Sequence, residues 1–215
     1  MWEPHQAALV SAGHAVRAPN LPGDPPEVGF DVWSRRVLAE VSGDFVAVGC
    51  SMGGYLAFEL WRQARERIRA LALLDTRATP DTPEQRQARD DSVRLLGEAG
   101  FEPFWESLAP RLFAPNADPE IVARARSIAA EQPLTRLVAA LETLRDRDDS
   151  RATLGTIDVP VLVAVGEADV LTPPADAEEL VAGIPRARLL RIARAGHLAP
   201  VERPREVTRA LLELL

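Results

Sequence analysis

The residues of this 215-residue chain that could do chemistry together are a serine, an aspartate and a histidine, in that order. Ser51 stands in a G-x-S-x-G pattern, which follows a short apolar run and precedes an amphipathic segment. A serine hydroxyl is a weak nucleophile near neutral pH, so it needs an imidazole to accept its proton and a carboxylate to orient that imidazole. We predict Ser51 as the nucleophile, His197 as the base and Asp169 as the acid.

The turn that carries Ser51 is predicted to be sharp, because a strand must pass there directly into a helix. We expect the glycines at positions 49 and 53 to keep the backbone from clashing at this turn. Met52 opens the helix, so its backbone N–H should point to the place where an oxyanion would develop. Met52 is therefore the predicted donor of an oxyanion hole.

Two carboxylates compete for the role of the acid. Asp169 follows the apolar run 159–165, and reactive groups in open α/β sheets gather at the carboxyl ends of the strands. Asp75 follows another apolar run, 68–74, and stays open as the alternative acid. Asp176 falls in the first turn of the next predicted helix, where the helix dipole favours a carboxylate.

His197 is assigned as the base because of its position in the chain, after a predicted strand. His197 lies in a Gly-containing loop after the predicted strand 188–192, where its side chain can reach over the edge of a sheet. His5 falls within a predicted helix and His14 just after it, so we expect both to be structural or solvated.

The elements that would position these residues alternate between strands and helices. In chain order the patterns predict helix 2–12, strand 15–18, a Pro/Gly-rich loop at 19–26, helix 32–41, strand 45–48, helix 53–67, strand 68–74, strand 159–165, helix 174–182, strand 188–192 and helix 204–215. Because the strands are continuous apolar runs separated by helices, they predict an α/β fold whose mostly parallel sheet has helices on both faces.

Residues 76–151 differ from the rest of the chain. They are rich in charged residues, are interrupted by prolines and contain at least three helical patterns, with no convincing strand. We interpret them as a helical insertion into a core made of residues 1–75 and 152–215. The bulky apolar residues of the insertion include Phe104, Trp105 and Phe113, which are the predicted pocket residues.

Composition limits the partners. The net charge of −7 disfavours nucleic acid, no run of about 18 apolar residues predicts a membrane span, and no secretory signal is visible, so we expect a cytoplasmic protein. All 25 basic residues are arginine, which excludes chemistry that needs a lysine. No spacing of histidines and the single Cys50 suggests a metal site. We predict no cofactor and no metal, and make no prediction of oligomeric state.

The segments WEPHQAALVSAGHAVRAPNLPG, VAVGCSMGGYLAFEL, LALLDT, VPVLVAVGEADVLTPP and AGHLAPVERP resemble the α/β-hydrolase superfamily, in particular its small bacterial esterase-like and lactonase-like members. The resemblance runs over essentially the whole chain. It implies an α/β-hydrolase fold with a helical cap at 76–151. It also implies Ser51, Asp169 and His197 as the triad and the Met52 N–H as an oxyanion donor.

Two departures from the family pattern stand out. Asn20 replaces the aspartate that usually precedes the L-P-G turn, and we expect little effect from it. The chain also begins inside the family's first helix, so the preceding strands, and the loop that supplies the second oxyanion donor, are not in this sequence. Met1 resembles an internal methionine of the pattern. Either Met1 lies downstream of the true start, or this is a degenerate member of the family. We favour the first, and expect an intact-mass measurement on protein from the native source to find a longer chain.

The function predicted from these residues is that of a serine hydrolase. Its substrate would be a small-molecule acyl compound, a carboxylic ester or a related lactone or thioester, cleaved through an acyl-enzyme on Ser51. The alternative is a catalytically silent ligand-binding protein of the same fold, in which Ser51 would resist covalent labelling. A dinucleotide-binding turn at Gly49, Gly53 and Gly54 is a weaker reading, because G-x-G-x-x-G is absent.

Overall fold

A computed structural model describes residues 1–22 and 26–215 of the chain. Within them lies one four-stranded sheet of β1 (Phe45–Cys50), β2 (Ile68–Leu74), β3 (Val161–Gly166) and β4 (Ala187–Ile192), in that spatial order. All three neighbouring pairs are parallel. The predicted parallel α/β sheet is therefore confirmed, and all four carboxyl ends lie along the same edge.

Eleven helices are present in the described residues. They are α1 (Glu3–Ser11), α2 (Phe30–Glu40), α3 (Met52–Ala64), α4 (Pro83–Ala99), α5 (Phe101–Leu112), α6 (Pro119–Ala130), α7 (Leu134–Arg145), α8 (Arg151–Leu154), α9 (Pro174–Gly183), α10 (Ala199–Glu202) and α11 (Pro204–Leu212). A short 3-10 turn, Arg65–Arg67, joins α3 to β2. Each predicted helix of the core has a counterpart, with ends that differ by a few residues.

Apart from the exposed Arg69 near the start of β2, the central strands β2 and β3 are apolar, because both faces of the sheet are covered. Leu71 and Leu73 of β2 point into an apolar cluster formed with α2, α3 and α9. Ala72 and Leu74, the residues alternating with them, point into a second cluster formed with α1 and α11. This alternation explains why β2 has no polar face beyond Arg69, as is typical of a parallel strand between two helical layers.

Helices α4, α5 and α7 share an apolar cluster of their own, and α6 packs beside α5. Leu96 of α4, Phe104 of α5 and Leu141 of α7 are buried together. The start of α4 is fixed by a capping box, in which the side chain of Thr82 accepts from the N–H of Gln85 and the side chain of Gln85 accepts from the N–H of Thr82. These helices therefore form a separately packed layer within the predicted insertion.

One predicted strand is wrong. Residues 15–18 form neither helix nor strand in the structure. A strand needs a neighbour for its backbone hydrogen bonds, and in the described part of the chain β1 pairs only with β2. Val16 still packs against the cluster of α1 and α11. Residues 23–25 of the predicted Pro/Gly-rich loop lie outside the described residues. None of the described helices is both long and apolar enough to cross a membrane.

Candidate active site

Ser51 lies in a strained turn between β1 and α3. Its φ and ψ are 50° and −111°, in a region that residues with a side chain rarely occupy. A conformation of this kind costs about 1–3 kcal/mol and persists only where the surrounding structure enforces it. Part of that enforcement comes from the neighbouring strand, since the N–H of Ser51 donates to the carbonyl of Leu74 at 2.8 Å. The turn thereby holds Ser51 at the carboxyl edge of the sheet.

The glycines that make the turn possible are Gly49 and Gly54. A Cβ at Gly49 would lie 2.0 Å from the carbonyl oxygen of Gly53, and a Cβ at Gly54 would lie 2.5 Å from the side chain of Thr76. A Cβ at Gly53 would meet no atom within 4 Å. The predicted role of Gly49 is therefore correct. The role assigned to Gly53 belongs to Gly54, because α3 packs closely at Gly54 against Thr76, in the segment after β2.

The structure brings the three predicted side chains into one hydrogen-bonded chain. His197 Nε2 lies 2.7 Å from Ser51 Oγ, and His197 Nδ1 lies 2.9 Å from Asp169 Oδ2. An ionised carboxylate can only accept, so Nδ1 carries a proton and the Nε2 of a neutral ring is free to accept the proton of Ser51. Both His197 and Asp169 are buried, at 4% and 3% exposure.

The carboxylate of Asp169 is held by its own loop. Its Oδ1 accepts from the N–H groups of Leu171 and Thr172 at 2.8 and 3.0 Å, and its Oδ2 accepts from the Thr172 hydroxyl at 2.7 Å. Burial raises the pKa of Asp169, but the hydrogen bonds from His197 and Thr172 outweigh it and leave the pKa below its usual value. The carboxylate is therefore ionised at neutral pH. Sequence reasoning missed Thr172, although the side chain of an Asp commonly accepts from the backbone N–H two residues later and so marks such a loop.

Asp75, the alternative acid, lies elsewhere in the site. It is fully buried at the end of β2, where its Oδ1 accepts from the N–H of Gly166 at 2.8 Å and its Oδ2 from the N–H of Ala199 at 3.2 Å. Burial raises the pKa of Asp75 well above its usual value. The carboxylate beside the imidazole of His197 is therefore that of Asp169. The side chain of Asp75 binds the backbone N–H groups of Gly166 and Ala199.

The N–H of Met52 stays the predicted oxyanion donor. Met52 is the first residue of α3, directly after Ser51, and its N–H has no acceptor among the residues that the structure describes. The first N–H groups of a helix carry partial positive charge and have no partner within the helix.

The other two histidines take no part in this chain of hydrogen bonds. His5 of α1 is buried, with Nδ1 2.8 Å from Thr208 Oγ1 and Nε2 3.0 Å from the carbonyl oxygen of Pro200. Burial lowers the pKa of His5 below its usual value. His5 therefore ties α1 to α10 and α11.

Two of the three predicted pocket residues line a cavity of about 520 Å³ beside α5. Trp105 and Phe113 form part of its wall, and the other lining residues are Glu106, Ala109, Pro110, Ala114, Pro115, Ala117 and Val122. Phe104 packs instead with Leu96 inside the helical layer, so its assignment to the pocket does not hold for this cavity. Side chains of consecutive helical residues point in directions about 100° apart. Phe104 therefore faces Leu96 of α4, whereas Trp105 faces the cavity. In residues 1–22 and 26–215 no group of three or more His, Cys, Asp or Glu side chains is arranged to hold a metal ion.

The chain belongs to the alpha/beta hydrolase family, whose model matches residues 1–210. It is 32% identical over 213 residues to the pimeloyl-(acyl-carrier protein) methyl ester esterase of Aromatoleum aromaticum, an alignment that covers 91% of this chain and 85% of that protein. It is 31% identical over 166 residues to 3-oxoadipate enol-lactonase 2 of Acinetobacter baylyi, covering 76% of this chain and 60% of the relative.

Among solved structures, the chain is similar to a malate-bound thermophilic esterase from Thermogutta terrifontis. The TM-score is 0.87 at 29% identity, over 99% of this chain and 83% of the other. The expected α/β-hydrolase fold is thus supported by both sequence and structure.

Proposed function

We propose that this protein hydrolyses small carboxylic esters, or chemically similar lactones, through an acyl-enzyme formed on Ser51. The observation that carries the proposal is the hydrogen-bonded chain from Ser51 through His197 to Asp169, with distances of 2.7 and 2.9 Å. Its relatives include a methyl ester esterase and an enol-lactonase, both of which cleave an acyl–oxygen bond. The reaction needs no cofactor or metal, because the nucleophile, the base and the acid are all side chains.

In the first half of the reaction, Ser51 Oγ attacks the substrate carbonyl while His197 Nε2 takes the hydroxyl proton. The carbonyl oxygen gains negative charge, and the N–H of Met52 donates to it at the start of α3. When the tetrahedral intermediate collapses, the bond to the alcohol breaks and His197 gives its proton to the leaving oxygen. The acyl group then remains on Ser51 as an ester.

In the second half, water takes the place of the alcohol. His197 removes a proton from the water, the hydroxide adds to the acyl carbonyl, and collapse returns the proton to Ser51 Oγ and releases the acid. Asp169 stays ionised throughout, because its lowered pKa keeps the proton on His197 Nδ1. Its role is to fix the tautomer of the ring and to stabilise the imidazolium that forms in each half-reaction.

The side chains of Ser51, Asp169 and His197 do not line the cavity beside α5, and we propose that this cavity receives an uncharged, apolar group of the substrate. Its wall is mostly apolar, with Trp105, Phe113 and Val122 as its bulky members and Glu106 as its one charged residue. The carboxylate of Glu106 would repel a negatively charged group on the substrate, so it favours substrates without one at this wall. We take the layer of α4 to α7 as a cap, with the remaining residues as the hydrolase core.

The proposal is tested by labelling the protein with a fluorophosphonate and mapping the modified peptide by mass spectrometry. We expect phosphonylation of Ser51, its loss in His197→Ala, and full labelling in His14→Ala, a matched control outside the site. Hydrolysis of p-nitrophenyl acetate should follow the same pattern. Ligand binding without labelling of Ser51 would overturn the proposal and support the silent binding protein.

A further inference from the structure

The loop that carries His197 is held on each side by a buried carboxylate. The N–H of Gly196, before the histidine, donates to Glu202 Oε1 at 2.7 Å. The N–H of Ala199, two residues after the histidine, donates to Asp75 Oδ2 at 3.2 Å. Both carboxylates bind the backbone of the loop, and the imidazole nitrogens have other partners, Ser51 and Asp169.

Glu202 also binds the segment that follows α5. Its second oxygen, Oε2, accepts from the N–H of Ala114 at 3.0 Å. One carboxylate therefore joins the histidine loop to residue 114, which is 88 positions earlier in the chain. The contact is reinforced by a backbone hydrogen bond of 3.1 Å from the N–H of Leu198 to the carbonyl of Leu112.

The segment that Glu202 holds is a wall of the cavity. Phe113 and Ala114 line the cavity, and their backbone also packs against Gly196 of the histidine loop. The fit is close, because a Cβ at Gly196 would lie 2.5 Å from the carbonyl carbon of Phe113. A small shift of this segment would therefore also shift the loop that carries His197.

Glu202 is 4% exposed, and a carboxyl group is costly to bury unless its oxygens are hydrogen-bonded. Here the two oxygens accept from two backbone N–H groups, so the carboxylate fixes the relative position of two segments that an apolar side chain would leave free. We propose that Glu202 is a positioning residue, which keeps the imidazole of His197 in place by tying its loop to the segment 113–114. The inference rests on the hydrolytic function proposed above.

The test is Glu202→Gln, because its amide keeps one oxygen but presents an N–H to the other backbone donor. We expect kcat for p-nitrophenyl acetate, counted per serine titratable with fluorophosphonate, to fall about ten- to a hundredfold while KM changes less than about twofold. The acid limb of the pH–kcat profile should also move, since it reports the imidazole. The matched control is Glu40→Gln, at an exposed position on α2, which should retain wild-type values.

A purely structural role predicts fewer titratable serines, with wild-type kcat and pH profile for each one that remains. That result would overturn the inference. If Glu202→Gln does not fold, amide hydrogen exchange on the wild-type protein decides the question. The N–H groups of Gly196 and Ala114 should then exchange slowly and at similar rates, and rapid exchange of either would overturn the inference. Because this measurement requires no turnover, failure of the proposed hydrolysis and failure of the role of Glu202 can be told apart.

Discussion

The assignment of Asp169 as the acid can be tested by replacing it with asparagine. Oδ1 of Asp169 accepts from two backbone N–H groups, and Oδ2 faces the Nδ1 of His197. The oxygen of an asparagine would keep the two backbone donors, so its NH₂ group would face Nδ1. The imidazole would then have to accept at Nδ1 and carry its proton on Nε2, where it cannot take the proton of Ser51.

A ring fixed in the wrong tautomer typically costs about 10⁴-fold in kcat. At 1.36 kcal/mol for each factor of ten, that is a loss of about 5.4 kcal/mol of transition-state stabilisation. The fold should persist, because the two backbone hydrogen bonds and the shape of the side chain are kept. We expect the circular dichroism spectrum of Asp169→Asn to match that of the wild type.

The assay is steady-state hydrolysis of p-nitrophenyl acetate, with two matched variants. Asp176→Asn, at the start of α9 and paired with Arg77, should stay within about twofold of wild type. Asp75→Asn should fall by less than Asp169→Asn, because Asp75 binds backbone and not the ring. A loss below tenfold in Asp169→Asn, or a larger loss in Asp75→Asn, would refute this reasoning.

Three further predictions concern the turn, the N-terminal helix and the cavity. Gly49→Ala should prevent stable folding, because its Cβ would lie 2.0 Å from a backbone oxygen. Gly97→Ala, in open space on α4, should raise the free energy of unfolding in urea by up to about 1 kcal/mol. His5→Gln should flatten the loss of stability between pH 7.5 and 5.5, because the lowered pKa lets the unfolded chain bind a proton that the folded chain does not. Val122→Trp should lower kcat/KM for p-nitrophenyl octanoate at least tenfold and for the acetate less than threefold.

Each of these predictions has a contrary outcome. Similar unfolding free energies for the two glycine variants would show that the turn has room for a Cβ. A constant difference in urea stability between wild type and His5→Gln at both pH values would mean that the histidine does not titrate differently on folding. Equal effects on octanoate and acetate would place the acyl group outside the cavity.

The sequence was sufficient to predict the order of the core elements and the positions of Ser51, Asp169 and His197. Those predictions rest on strong local signals: continuous apolar runs, a glycine-bounded serine and polar residues directly after strands. The strand at 15–18 failed because β structure depends on a neighbour as well as on local preference. A short run such as Ala15–Ala18 contains no information about whether that neighbour is present.

The details of the site depend on contacts between distant segments, which a single sequence does not encode locally. Gly54 is required because Thr76, 22 residues later, packs against it. Glu202 was missed for the same reason, since Ala114 is its partner across the fold. The one available signal was a lone carboxylate among apolar residues in the run Ala199–Glu202. Phe104 and Trp105 are neighbours on α5, and sequence alone could not tell which of them faced the core.

The residues with positive φ, other than glycine, follow the ends of three strands in the described part of the chain. Ser51 and Asp75 come directly after β1 and β2, and Arg194 comes two residues after β4. The backbone is therefore strained along the edge of the sheet that carries the reacting groups. The helices packed on both faces of the sheet keep it in that conformation. On heating, this strained edge should lose its native backbone conformation before the strands unfold. We therefore expect catalytic activity to be lost at a lower temperature than secondary structure.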